Sequence, residues 1–133
     1  MSIAVVTGAS SGIGLEVARG LVAQGSTVAL VGRNPARLEA ARAAIGGDTH
    51  LFLADFANLA DVRALATALQ ARFPQIHVLV NNAGLASWRR TVTADGFETT
   101  FQVNHLAPFL LTNLLLPNIT GRIVTVASNA HKR

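Results

Sequence analysis

The sequence predicts an α/β domain whose parallel sheet is doubly wound, with helices on both faces. Three observations carry that prediction. Apolar runs of strand length alternate with helix-length amphipathic stretches along all 133 residues. The runs are rich in Val, Ile and Leu with little polar alternation, as in strands covered on both faces. The first strand also enters the first helix directly through a glycine-rich turn, Thr7-Gly8-Ala9-Ser10-Ser11-Gly12-Ile13-Gly14. Right-handed crossovers then give the strand order 3-2-1-4-5, with a sixth strand expected outside the fifth.

The elements follow in order. Strand one is the apolar run Ile3–Thr7, and helix one covers 12–24 and stops at Gly25. Strand two is 27–31. Asn34 as N-cap and Pro35 in the first turn open helix two over 35–44, and Gly46-Gly47 end it. Strand three is 50–53, and helix three, Leu59–Arg72, starts behind Asn58. Strand four is 78–80. A longer helix over 94–116 starts behind Thr93, and strand five is 122–126. No repeat or low-complexity tract interrupts the series, so residues 1–133 read as one domain.

Composition narrows the function classes. Half of the residues are hydrophobic and 14% are charged, which suits an ordered domain with a sizeable core. The absence of cysteine removes disulfides and thiolate metal sites, and a reducing cytoplasm fits most simply. No basic n-region opens the chain, and the apolar stretch 106–116 is too short to span a bilayer and contains Pro108. The net charge of +4 comes from arginines that are scattered rather than gathered on one face, so no nucleic-acid partner is expected.

The glycine-rich turn points to an anion. Gly8 can take backbone angles closed to other residues, and Gly12 and Gly14 put no Cβ between the chain and a ligand above it. The free N–H groups and positive dipole end of helix one face that space, where a phosphate is the usual occupant. The spacing is G-x-x-x-G-x-G, and no Gly-Lys-Ser or Gly-Lys-Thr follows as a P-loop requires. In an open parallel sheet, ligands bind above the strand C-termini where the order reverses, here strands one and four.

The other strand ends are therefore informative. Strand two ends in Gly32-Arg33-Asn34, with an arginine where many such folds carry a ribose-binding carboxylate. Arg33 is either a solvated side chain at a helix entry or a guanidinium placed for a 2′-phosphate. With no acid between strand two and Glu39, NADP is favoured over NAD. Strand three ends in Asp55-Phe56, where the carboxylate either accepts from an adenine amine or caps a turn. Strand four ends in Asn81-Asn82-Ala83-Gly84, whose amides can bridge backbone and coenzyme hydroxyls while Ala83 and Gly84 admit a ring. Ser128 follows strand five.

Taken together, Thr7 to Gly14, Asp55, Asn81 to Gly84, Asn104 in a helix and Ser128 resemble the short-chain dehydrogenase/reductase family, in register over the whole chain. The stretches 101–113 and 126–131 are similar to its retinol-dehydrogenase-like branch. The resemblance implies a Rossmann-type fold and hydride transfer between a nicotinamide and a small alcohol or carbonyl substrate. It implies that Gly8, Gly12 and Gly14 surround the pyrophosphate, with Ser10, Ser11 and Ile13 close by. Arg33, beside Asn34, matches the basic position of NADP-preferring members, and Asp55 with Phe56 matches the adenine contacts. Asn81 and Asn82 would brace the sheet beside the ribose. Asn104 matches the asparagine that holds a proton-relay water, and Ser128 the serine that binds the substrate oxygen.

One departure is severe. The family's acid/base is a tyrosine in a Tyr-x-x-x-Lys pair, yet this sequence has no tyrosine, and its single lysine is Lys132. Carbonyl reduction needs a proton donor in reach of the oxygen, and a phenol near pKa ~10 needs a neighbouring ammonium to serve. His105 and His131 are poor substitutes. The chain also ends before the sixth strand and its helix. It therefore reads as the N-terminal half of a longer reductase, inactive alone, or else as a non-catalytic dinucleotide-binding module or redox sensor. The helix over 94–116 is apolar nearly all round, which predicts a homo-oligomer through it. Substrate choice is expected from the loop 85–91, where Trp88 either lines the pocket or anchors the loop.

Overall fold

The computed structural model describes residues 2–82, 84 and 90–126. Strands β1 (Ile3–Thr7), β2 (Thr27–Gly32), β3 (Thr49–Leu53), β4 (Ile76–Asn81) and β5 (Ile119–Thr125) form one parallel sheet in the order β3-β2-β1-β4-β5. Helices α1 (Gly12–Ala23), α2 (Pro35–Ile45) and α3 (Leu59–Arg72) make the first three crossovers. The fourth runs through α4 (Thr99–Phe101), a π-helical turn (Gln102–Leu106), α5 (Ala107–Leu115) and a short 3-10 turn (Leu116–Asn118).

The core explains why the strands carry so little polar alternation. Successive side chains of a strand point to opposite faces, and here both faces are covered. Val5, Ala29, Val31 and Leu79 pack against Val62, Leu65 and Leu69 of α3 and Leu111 and Leu115 of α5. Ala4, Val6, Val28, Leu30 and Val80 pack on the other face with Ala18 of α1 and Leu38 of α2. Each fully buried Leu, Ile or Val contributes about 1.5–3 kcal/mol of transfer free energy. β1 and β4 pair directly, Val5 opposite Leu79, so their ends bring Thr7 and Asn81 together where the strand order reverses.

Two expectations are corrected. The last helix starts at Thr99, not at 94, and its N-cap is Glu98, whose carboxylate accepts from the Thr100 and Phe101 N–H groups at 3.0 and 2.9 Å. Thr93 closes a turn instead, its hydroxyl accepting from the Asp95 and Phe97 N–H groups, and Gly96 there sits at φ +88°. β5 begins at Ile119 rather than 122 and passes through Gly121. A Cβ on Gly121 would strike the His77 carbonyl, and the β4–β5 register shifts beside it, between Ile76 and Val78. Unlike the other strands, β5 is exposed along most of its length. Among the described residues, no helix is long and apolar enough to cross a membrane.

Candidate functional site

The site is built on the turn between β1 and α1. Gly8 and Gly12 lie at φ +60° and +57°, in the left-handed region that disfavours a Cβ. Gly14 is needed for another reason: a Cβ there would meet the Gly8 carbonyl and the Asn82 side-chain nitrogen. That nitrogen donates to the Gly8 carbonyl at 3.2 Å, and the Asn82 N–H donates to Thr7 Oγ1 at 2.9 Å. On the other side, the N–H of fully buried Ala9 donates to the Val31 carbonyl at 3.2 Å. Both neighbouring strands thus fasten the turn.

What the turn presents is a row of unclaimed donors. Asn34 caps α2 by accepting from the Arg37 N–H, and Asn58 caps α3 by accepting from the Ala60 N–H. Ser11 occupies the N-cap of α1 in extended conformation, but its side chain makes no cap hydrogen bond, and no acidic residue stands in the first turn. The four N–H groups that open a helix have no intrahelical acceptor. At α1 they and the positive dipole end are left for an anion.

A cavity of about 290 Å3 opens beside this turn, near the lower end of the range for small-ligand pockets. It is lined by Gly8, Ser10 and Ser11, by Arg33 and Arg37 beyond β2, by Asp55, Phe56 and Ala57 beyond β3, by Asn82 and Gly84 beyond β4, and by Thr99 and Val103 of the last helix. Asp55, which lines the cavity, serves as a turn residue as well: its Oδ1 accepts from the Ala57 N–H at 2.9 Å. Phe56 is buried in the α3–α5 core and still forms part of the wall.

Other expected residues stand behind the wall. Gly12, Gly14 and Asn34 shape the turn and cap α2 without lining the cavity, and Ile13 points outward, 61% exposed. Asn81 is a buried brace, donating from its side chain to Thr112 Oγ1 of α5 at 3.0 Å. Asn104 lies in the π-helical turn with Oδ1 facing Gly84, 3.6 Å from where a Cβ would sit. His105 stacks on Phe101 on the exposed side, ring centroids 5.6 Å apart. Ser128, Ala83, Trp88, His131 and Lys132 lie outside the described residues.

Several participants escaped sequence reading, Arg37, Thr99 and Gln102 among them. Arg37 adds a second arginine to the cavity lining from the first turn of α2, a placement that helical spacing after Asn34 could have flagged. Thr99 was hidden by an assumed helix start five residues too early. Gln102 carries no local signal, because its partners are distant in sequence; its side chain is completely buried and bonded to Phe56, Thr93 and Asp95.

A family model described as short chain dehydrogenase matches residues 2–133. The chain is 48% identical to a Streptomyces sp. (strain C5) protein provisionally named daunorubicin C-13 ketoreductase DnrU, over 96% of this chain and 46% of that protein. It is 40% identical to human retinol dehydrogenase 12, over 97% of this chain and 44% of the relative. A metagenomic short-chain oxidoreductase solved in complex with NADP matches with a TM-score of 0.87 at 33% identity, covering 99% of this chain and 64% of that one. The chain spans less than half the length of these two curated relatives.

Proposed function

This chain belongs to the short-chain dehydrogenase/reductase family, on its retinol-dehydrogenase-like branch, and from that premise we propose that it is the coenzyme-binding part of an NADP-dependent oxidoreductase acting on a small alcohol or carbonyl compound. The carrying observation is the α1 N-terminus, which has no side-chain cap although α2 and α3 both have one. The residues fit a dinucleotide. Two arginines and one aspartate, Arg33, Arg37 and Asp55, line a single cavity beside that helix start.

In this reading the α1 amides and Ser10 and Ser11 receive the pyrophosphate. Arg33 and Arg37 take the 2′-phosphate through charge-assisted bonds, and Asp55 accepts from the adenine amine beside Phe56. Asn82, tied to Gly8, keeps the β4 end in register with the pyrophosphate turn. Bound NADP supplies hydride exchange at its nicotinamide. Ser128 holds the substrate oxygen, and Asn104 anchors the water that relays the proton. The sequence contains no tyrosine to donate that proton, which favours coenzyme binding without turnover by these 133 residues. A dinucleotide-binding module or redox sensor is the second reading, and it rests on that same observation.

Fluorescence titration with NADPH and NADH tests the proposal. NADPH is expected to bind at least tenfold more tightly. Arg33→Ala and Arg37→Ala should each cost about tenfold for NADPH and little for NADH, since a hydrogen bond to a charged group contributes about 1.5–3 kcal/mol. Equal affinity for both coenzymes in the wild type overturns the NADP assignment. If neither coenzyme protects the first amides of α1 from hydrogen exchange, the site itself is wrong. NADPH oxidation with simple ketones would remove the reading of binding without turnover.

A further inference from the structure

We propose that Gln102 is a positioning residue for the adenosine half of the coenzyme, holding the Phe56 wall in place from within the protein. The inference rests on the coenzyme reading above. Gln102 has no solvent-exposed surface, and every polar atom of its amide is used. The Nε2 group donates to the Phe56 carbonyl at 3.1 Å and to Asp95 Oδ2 at 3.1 Å, while Oε1 accepts from Thr93 Oγ1 at 2.6 Å. Asp95 Oδ2 also accepts from the Leu59 N–H at 2.9 Å, in the first turn of α3. One buried amide thereby joins the loop after β3, the turn before α4, the start of α3 and its own π-helical turn.

Packing does not call for an amide here. A buried polar side chain is costly unless it is fully bonded, and an apolar residue of equal volume fills a core without that cost. What a fully bonded network adds is a fixed relative position for the parts it joins. The bonds within the loop, Ala57 N–H to Asp55 Oδ1 and Asn58 N–H to the Asp55 carbonyl, set the loop's shape. They do not set its distance from the last helix. Gln102 supplies that distance, and the cavity lies between the two, walled by Asp55 and Phe56 on one side and by Thr99 and Val103 on the other.

The test uses the full chain and two ligands: NADPH, and 2′,5′-ADP, which keeps the adenosine and lacks the nicotinamide. Gln102→Met preserves volume and removes the bonds, so Kd is expected to rise about tenfold, by the same factor for both ligands. Exposed Asp95→Ala, which leaves the core intact, should raise both by a smaller common factor and speed hydrogen exchange at the Ala57 and Asn58 amides. If Gln102→Met does not fold, Asp95→Ala decides alone. Lower thermal stability with both Kd values unchanged overturns the inference and leaves Gln102 a core residue. A loss for NADPH that 2′,5′-ADP does not share overturns it too. Wild-type protein that binds neither ligand overturns the coenzyme reading and the inference with it, whereas wild-type binding with unaffected variants overturns the inference alone.

Discussion

Alanine at Gly14 would set a Cβ against the Gly8 carbonyl of the turn and the Asn82 amide that is bonded to that carbonyl. Neither is the loose end of a flexible side chain, so the backbone must give way. A destabilisation of about 1–3 kcal/mol is expected, as for other overpacked sites, together with lost NADPH affinity. Gly20, in the same helix, has open space where a Cβ would go. Gly20→Ala should therefore gain about 0.5–1 kcal/mol from helix propensity alone and leave NADPH binding unchanged. Urea unfolding and coenzyme titration of the two variants check the contrast; a Gly14→Ala protein as stable as wild type would remove the steric account. The glycine spacing was legible as an anion site from the first residues onward. Their roles were only partly legible: Gly12, expected to give clearance to a ligand, serves by its φ of +57°, and the clearance at Gly14 is from the Gly8 carbonyl and the Asn82 side chain rather than from a ligand.

The start of the last helix is where an element depends on one ionised side chain. Two backbone donors, from Phe101 and then Thr100, hold the Glu98 carboxyl below the ordinary glutamate range. A lowered folded-state value means that the unfolded chain takes up the proton more readily. The stabilisation is thus complete above the unfolded value of about 4.3 and is lost as pH falls through the lower folded value. Glu98→Gln should lower the thermal midpoint at neutral pH and flatten its decline between about pH 5 and pH 3. Parallel pH profiles for the two proteins would show that the cap carries no such linkage. Sequence periodicity failed at this helix for a definite reason. Residues 94–97 fit a helical pattern, but Thr93 and Gly96 close a turn there, and an antiparallel bridge between Val92 and Glu98 delays the helix. The π-helical turn around Asn104 was equally invisible, since nothing in the spacing of apolar residues separates it from an α-helix.

At the scale of the whole molecule, strand order was legible because alternation and crossover handedness admit few alternatives, and the central strands β1, β2 and β4 are largely buried as their composition demands. β5 and the last helix break that rule. Ile123 and Val124 are each 42% exposed, and Phe101, Phe109 and Leu116 are 47%, 70% and 53% exposed. Exposed large apolar side chains are what association sites bury, and a phenylalanine is a large share of any interface core. The chain is therefore expected to self-associate through the last helix, as its all-round apolar character predicts. Phe109→Asp should shift sedimentation toward the monomer without changing NADPH affinity, because Phe109 does not line the cavity, whereas Thr99 and Val103 of the same helical run do. The competing surface is β5, which stands at the edge of the sheet among the described residues, where another strand can pair. Ile123→Lys separates the two: dissociation by that change, with Phe109→Asp still associated, assigns the contact to the sheet edge. A wild type that sediments as a monomer at every concentration removes both.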